Sequence, residues 1–123
     1  MSEQLSPCPR LSLNCVCSRD DALRLHRVKP LTVSGDPLLA FARLKNLVAA
    51  TARTVILTAT EDYLHAACRT RIGFIDDLEC RLCLTSRMIH IRSESRIGIY
   101  DFGTNRRRVE RLRRQLQDEY IGG

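Results

Sequence analysis

Residues 90–114, HIRSESRIGIYDFGTNRRRVERLRR, are the stretch around which the rest of the chain is organised. This stretch predicts the end of a strand, then a turn at Gly98 and Gly103, and then a helix. From residue 92 to residue 114 it contains eight arginines against three acidic residues, which is most of the net charge of +6. We therefore expect any functional site to lie here.

Length and composition predict one ordinary globular domain. The 123 residues allow one hydrophobic core, and 44% apolar with 28% charged residues is typical of a soluble protein. No apolar run approaches the roughly 18 residues of a membrane helix. The first residues have neither the basic nor the apolar region of a secretory signal. The sequence therefore predicts a cytoplasmic protein without a membrane span, and it leaves the oligomeric state open.

The positive charge is carried by 18 arginines and only two lysines, Lys29 and Lys45. Arginine suits sites where a planar donor group meets carboxylate or phosphate, although a high arginine content also follows from genome composition. A pI near 9.3 permits an acidic partner without requiring one. Nucleic acid is a weaker prediction, because aromatic residues make up only 5% of the chain and base-stacking platforms are lacking.

Six cysteines are many for this length. Three of them, Cys8, Cys15 and Cys17, lie close together near the N-terminus and leave three interpretations open. These are reduced thiols, a tetrahedral zinc site with His26 nearby, and a Cys8–Cys15 disulfide. For a cytoplasmic chain we expect reduced thiols first and zinc second, although the spacing does not match the usual paired ligands of zinc.

The first 35 residues differ from the rest of the chain in their pattern of apolar and turn-forming residues. Residues 1–35 predict an irregular segment that lies across the core, and residues 36–123 predict the α+β domain itself. The side chains expected to attach the N-terminal segment to the core are Leu11, Leu13, Val16 and Leu25.

Two helices are expected. Asp36 suits an N-cap and Pro37 suits the first helical position, and the apolar residues that follow predict an amphipathic helix ending near residue 51. The second helix is expected from residue 104 or 105 to Glu119, with an apolar stripe of Val109, Leu112 and Leu116.

Four strand-like runs lie between the helices, at residues 53–60, 62–70, 74–84 and 88–93. Their short connections predict an antiparallel meander. The order of elements therefore predicts a two-layer α+β sandwich, with both helices packed on one face of a four-stranded sheet. The third run is expected to turn Leu78, Cys80, Leu82 and Leu84 inward and Cys83 outward, so that Cys80 and Cys83 do not share a metal or redox site.

The second helix has its charges reversed relative to its dipole. Residues 106–108 in its first turn are all arginine, and each cation near a helix N-terminus costs about 0.3–1 kcal/mol. A bound anion would offset this cost. Internal carboxylates would offset it equally well, and the candidates are Asp76, Asp77 and Asp101.

Two interpretations of the cluster follow. In the first, a small domain binds an anionic ligand or acidic partner through Arg92, Ser93, Ser95, Arg96, Asn105, Arg106 and Arg108. In the alternative, this cluster is an internal salt-bridge network in a non-catalytic structural or protein-interaction domain, and its acidic members are Asp76, Asp77 and Asp101. If the last strand continues, Arg92, Glu94 and Arg96 share one face, and Ser93 and Ser95 share the other.

An enzyme that uses Asp76, Asp77 and Arg92 is the least favoured interpretation, and no catalytic residue is predicted. No cofactor is predicted either, apart from the zinc alternative at Cys8, Cys15 and Cys17.

Three motifs connect the chain to a known family. They are CPRLSLNCVCS at residues 8–18, FIDDLE at residues 74–79 and RSESRIGIYDFGTNRRR at residues 92–108. With these motifs the chain resembles the domain-of-unknown-function 1499 (DUF1499) family over nearly its whole length. It departs from the family at Leu13, where proline is usual, and at Cys17, where serine is usual. The resemblance implies no known activity, but it implies an α+β domain with a cluster of Asp77, Arg92, Arg96, Asp101, Asn105 and Arg106.

Overall fold

The structure is a computed structural model that describes residues 5–98 and 100–117. These residues form two helices and six strands, so the expected α+β fold is confirmed. In chain order the elements are β1 (Cys15–Cys17), β2 (Leu31–Thr32), α1 (Pro37–Ala49), β3 (Thr54–Ala59), β4 (Tyr63–Arg69), β5 (Ile75–Cys83), β6 (Met88–Ser95) and α2 (Thr104–Leu116).

The strands form one antiparallel sheet with the order β1-β6-β5-β4-β3. The short strands β1 and β2 pair with different parts of the same edge of β6. β1 lies opposite residues 92–94, and β2 lies opposite residues 88–89. The N-terminal segment therefore covers an edge whose backbone groups would otherwise be unpaired.

One face of the sheet is apolar because side chains alternate along each strand. The register places Leu64 opposite Cys80 and Cys80 opposite Ile91, and all three are fully buried. The two helices contact each other and share one hydrophobic cluster with this face. Their buried contributions to that cluster are Ala40, Phe41, Leu44, Val48, Val109, Leu112 and Leu116.

The predicted start of α1 is confirmed. Asp36 Oδ1 accepts hydrogen bonds from Leu38 N at 2.9 Å and Leu39 N at 3.5 Å, and Pro37 is the first helical residue. The start of α2 at Thr104 and its apolar stripe are also confirmed. The expected continuation of α2 to Glu119 lies outside the described residues.

The prediction of a four-stranded sheet is wrong, because residues 1–35 contribute β1 and β2. The segment is attached through its backbone pairing with β6 and through the buried side chains of Val16, Val28, Leu31 and Val33. Leu11, Leu13 and Leu25 are 94%, 49% and 52% exposed, contrary to expectation.

The end of β5 also differs from expectation. The strand ends at Cys83, so Leu84 enters the turn and is exposed rather than buried. Cys83 lies on the face opposite Cys80, as the alternation predicts, but it is buried there.

Candidate functional site

A cluster of polar side chains joins the start of α2 to β6. Its centre is Asn105, which is fully buried. Asn105 Nδ2 lies within hydrogen-bond distance of Asn14 O (3.1 Å), Ser95 Oγ (3.0 Å) and Asp101 Oδ2 (2.8 Å). Its Oδ1 accepts a hydrogen bond from Ser93 Oγ at 2.6 Å. One amide side chain therefore connects the N-terminal segment, β6 and the turn before α2.

Arg108 extends this cluster to β5. Its Nη1 donates to Asn105 Oδ1 at 3.0 Å and to Ser93 Oγ at 3.1 Å. Its Nη2 forms an ion pair with Asp76, at 2.8 Å from Oδ2. The geometry of this contact is not that of a hydrogen bond, and neither carboxylate oxygen of Asp76 has a hydrogen-bond partner among the described residues. Asp76 is fully buried, and a buried carboxylate needs a nearby counter-ion. We call Asp76, Ser93, Asp101, Asn105 and Arg108 the buried network.

The carboxylate of Asp101 partly offsets the positive charge of the arginines in the first turn of α2. Its Oδ1 accepts from Gly103 N at 2.8 Å, and its Oδ2 accepts from Asn105 N at 3.0 Å. A carboxylate at this position compensates the positive end of the helix dipole. Arg106 is held by carbonyl oxygens, because its guanidinium donates to Arg27 O at 2.8 Å and to Leu25 O at 2.9 Å.

The opposite face of the sheet carries a second set of ionic groups, which we call the charged face: Asp77, Glu79, Arg92, Glu94 and Arg96. Arg92 Nη2 donates to Glu94 Oε1 at 2.8 Å, and its Nη1 lies 3.8 Å from Glu79 Oε1. Arg96 makes a two-pronged contact with Asp77, through Nε at 2.9 Å and Nη2 at 3.0 Å. The bonds from Arg96, and then the contact with His65, hold the pKa of the Asp77 carboxyl below its usual range.

Two residues of β4 on the charged face, Tyr63 and His65, are not among the predicted site residues. His65 Nε2 lies 2.8 Å from Asp77 Oδ1, and the Tyr63 hydroxyl donates to Glu79 Oε2. Burial, and then the bond to Glu79, raise the pKa of the Tyr63 phenol above its usual range. Alternation along β4 puts Tyr63 and His65 on one face, but only the register with β5 shows which acids they meet.

The seven predicted anion ligands do not form one site. Arg92 and Arg96 lie on the charged face. Ser93, Asn105 and Arg108 lie on the opposite face in the buried network, and Ser95 is bonded to Asn105. Arg106 lies over residues 25–27. Of the three predicted acidic members of the cluster, Asp76 and Asp101 belong to the buried network, whereas Asp77 lies across the sheet. Anion binding by these residues stays a prediction.

The N-terminal cysteines also differ from expectation. Cys8 and Cys15 form a disulfide with an S–S distance of 2.09 Å, and buried Cys17 packs against them. The expectation of reduced thiols is therefore wrong for this pair. The zinc alternative fails as well, because two of its three ligands are not thiolates. Disulfides persist mainly in oxidising compartments, so this pair counts against the predicted cytoplasmic location. In the part of the chain that the structure describes, no group of three or more His, Cys, Asp or Glu residues is arranged to hold a metal.

A cavity of about 240 Å³ opens between α1, α2 and the sheet. Its apolar wall includes Leu47, Leu78 and Leu112, and Arg111 lies at its polar side. Cys68 also lines it, and burial raises the pKa of that thiol above its usual range. Such a shift disfavours the thiolate that nucleophilic chemistry needs.

Two shallow grooves, of about 420 and 560 Å³, lie along the outer side of α2 and share Arg106 and Glu110. We call their basic lining residues the basic face: Arg24, Arg27, Lys29, Arg106, Arg107, Arg111, Arg113 and Arg114. Glu110 is the one acidic residue among the described residues that line the grooves, and it already accepts from Arg113 Nε at 2.9 Å.

Comparison with known proteins places these features in a family. A family model described as "Protein of unknown function (DUF1499)" matches residues 4–116, a range that includes the disulfide, the buried network and the charged face. No curated protein and no solved structure matches the chain. Among the described residues, neither helix has the length and apolar character needed to cross a membrane. The match over most of the chain shows that the protein belongs to the DUF1499 family.

Proposed function

We propose that the protein is a non-catalytic binding module that engages an acidic partner through the basic face. The observation that carries this proposal is the outward stripe of α2. Arg107, Arg111 and Arg114 are exposed and follow one another at i, i+4 and i+7, so they lie on one side of the helix. Arg111 and Arg114 have no ion-pair partner among the residues that the structure describes.

The energetics of the stripe support a partner. Like charges at i and i+4 destabilise a helix by about 0.2–0.5 kcal/mol per pair. Arg107 and Arg111 form such a pair, and the carboxylate nearest to them in the groove, Glu110, is already bonded to Arg113. On the charged face, by contrast, Arg92 and Arg96 each have a carboxylate within 2.9 Å. An anionic surface placed against α2 would supply the counter-charge that the basic face lacks.

We propose that the buried network, in contrast, is an internal structural element. Its arginine is bonded to Asn105 and Ser93 and is ion-paired with Asp76. An incoming anion would have to displace these contacts and leave a buried carboxylate without its counter-ion. This cost favours the alternative interpretation of the cluster, in which Arg108 locks α2 to the sheet.

The experiment that tests the proposed function measures binding of fluorescein-labelled poly-L-glutamate by anisotropy at low and at moderate salt. The variant Arg107→Glu/Arg111→Glu/Arg114→Glu reverses the stripe. Each exposed ion pair contributes roughly 0.2–1 kcal/mol, and reversal adds repulsion, so we expect the Kd to rise about tenfold or more. Binding by the unaltered protein should weaken with salt.

The matched control reverses three exposed arginines that lie away from the basic face, in the variant Arg43→Glu/Arg69→Glu/Arg71→Glu. Both triple variants have the same net charge, so a difference between them reports position rather than total charge. Equal loss of binding in the two variants, or no binding of polyglutamate by the unaltered protein, would refute the proposal.

A further inference from the structure

A group of exposed apolar side chains lies beside the N-terminal end of α2. Leu13, Leu25, Tyr100 and Phe102, which we call the apolar patch, are 49%, 52%, 57% and 75% exposed. The rings of Tyr100 and Phe102 have their centroids 4.7 Å apart, and Leu13 forms a β-bridge with Tyr100. Leu13, Leu25 and Tyr100 also line one groove of about 210 Å³. Side chains from three separate segments therefore form one continuous surface.

The apolar patch is continuous with the basic face. Arg106 lines the groove of the patch and donates to Leu25 O at 2.9 Å. Arg107 donates to Phe102 O at 2.7 Å, so the arginine stripe begins beside the most exposed ring. Arginine side chains thus border the patch on the side of α2.

We propose that this end of the molecule docks on an anionic lipid bilayer, with the apolar patch entering the interface and the basic face contacting the headgroups. The inference rests on the proposed function and names its acidic partner. The amphipathic ring of Tyr100 favours the boundary between water and hydrocarbon, and the ring of Phe102 supplies apolar surface to bury there. Basic side chains near a membrane are attracted by anionic lipids, and long arginines reach back to the headgroups.

The dimensions of α2 fit this arrangement. At 1.5 Å per residue, Arg114 lies about 10 Å along the helix from Arg107. If α2 lies roughly parallel to the bilayer, the whole stripe reaches the headgroup layer while Phe102, just before the helix, reaches deeper. An acidic protein would need a surface shaped to several loops, whereas a bilayer adapts to side chains that project from separate loops.

The test is sedimentation with phosphatidylcholine vesicles, with and without phosphatidylserine, using the full chain with its disulfide intact. The variant Tyr100→Ser/Phe102→Asn removes the two rings. Asn is chosen because Phe102 has φ of 55°, a conformation that asparagine tolerates. We expect the unaltered protein to bind only vesicles with phosphatidylserine, and the variant to bind them at least about tenfold more weakly, with an unchanged polyglutamate Kd.

The matched control is Leu39→Ser/Leu84→Ser, which removes two apolar side chains that are 59% and 57% exposed. Leu84 lies in the turn before β6, whereas Tyr100 and Phe102 of the patch follow the other end of that strand. A single reporter, Phe102→Trp, adds a direct readout, because the chain has no other tryptophan. Its emission should shift to the blue with phosphatidylserine vesicles and stay unchanged with polyglutamate.

The outcomes separate this inference from the proposed function. If the variant without the rings binds anionic vesicles as tightly as the unaltered protein, or if only polyglutamate is bound, the lipid inference is overturned and the proposed function stands. If polyglutamate is not bound, the proposed function is overturned, and if vesicles with phosphatidylserine are not bound either, the lipid inference is overturned with it. Equal weakening in the Leu39/Leu84 control would also overturn the lipid inference.

Discussion

Replacing Arg108 by methionine would remove the counter-ion of a fully buried carboxylate. Arg108 Nη2 lies 2.8 Å from Asp76 Oδ2, and no other cation pairs with Asp76 among the described residues. Removing one partner of a buried ion pair costs about 3–5 kcal/mol. The two hydrogen bonds from Nη1 add little, because Ser93 Oγ still donates to Asn105 Oδ1. We expect a loss of about 4 kcal/mol, a large part of the roughly 5–15 kcal/mol by which small domains are stable.

The measurement is urea unfolding followed by far-ultraviolet circular dichroism at neutral pH, with the disulfide oxidised. Arg107→Met is the matched control. Its side chain is exposed and bonds to Phe102 O and Thr104 Oγ1, so we expect its effect to stay within about 0.5 kcal/mol.

A double variant, Arg108→Met/Asp76→Val, removes both charges of the pair. Because apolar replacement of a whole buried ion pair is often neutral or stabilising, we expect most of the lost stability to return. If Arg108→Met fails to fold, the double variant still tests whether the ion pair of Arg108 and Asp76 has a structural role. Equal losses for Arg108→Met and Arg107→Met, or no recovery in the double variant, would refute the structural role of the buried network.

Three further predictions concern the disulfide, the charged face and a core thiol. The Cys8→Ser/Cys15→Ser variant should lose about 2–3 kcal/mol in urea unfolding, because the closed loop spans a sequence separation of 7. Dithiothreitol should destabilise only the unaltered protein, and an equal effect on the variant would contradict this. Hydrogen bonds from Arg96 lower the pKa of the Asp77 carboxyl in the folded state. The ionised carboxyl therefore stabilises the fold at pH values above about 3.9, the pKa of an aspartate in the unfolded chain. This contribution is lost as the pH falls through the lower pKa of the folded state. Asp77→Asn should therefore be less stable than the unaltered protein at neutral pH and equal to it in strong acid; a deficit that is the same at every pH would argue against the ion pair. Burial raises the pKa of the Cys80 thiol, so it should react with Ellman's reagent only when urea unfolds the chain, and fast reaction in the native state would count against its placement.

The elements that the sequence predicts are those long enough to show a period. β5 has nine residues and α2 has thirteen, so alternation or helical spacing is visible in each. β1 and β2 have only three and two residues. Their strand conformation depends on hydrogen bonds to β6, which lies more than 50 residues away in the chain. No local pattern in residues 1–35 predicts that pairing.

The cysteine spacing left three interpretations open, and chain geometry decides between them. β1 fixes Cys15 on the edge of the sheet, and the turn at residues 10–11 returns the chain so that the Cα atoms of Cys8 and Cys15 lie 5.7 Å apart. This distance is typical of a disulfide. The expectation of reduced thiols depended on an assumed cytoplasmic location, whereas the path of the chain through a turn and an edge strand is not visible in the spacing.

The candidate site shows why a continuous motif need not form a continuous site. Residues 92–108 are contiguous in sequence, but β6 turns successive side chains to opposite faces. The sequence predicts this alternation, and the structure confirms it, since Arg92 reaches Glu94 on the charged face while Ser93 reaches Asn105 in the buried network. The same alternation keeps Arg92 and Ser93 from contacting one small ligand together. The motif therefore has two sets of internal partners, one on each side of the sheet. Of the eight arginines in residues 92–114, only Arg111 and Arg114 have side chains without a hydrogen bond or ion pair to another described residue, and both lie beyond the end of the motif. For this reason we look for a partner on the outer face of α2.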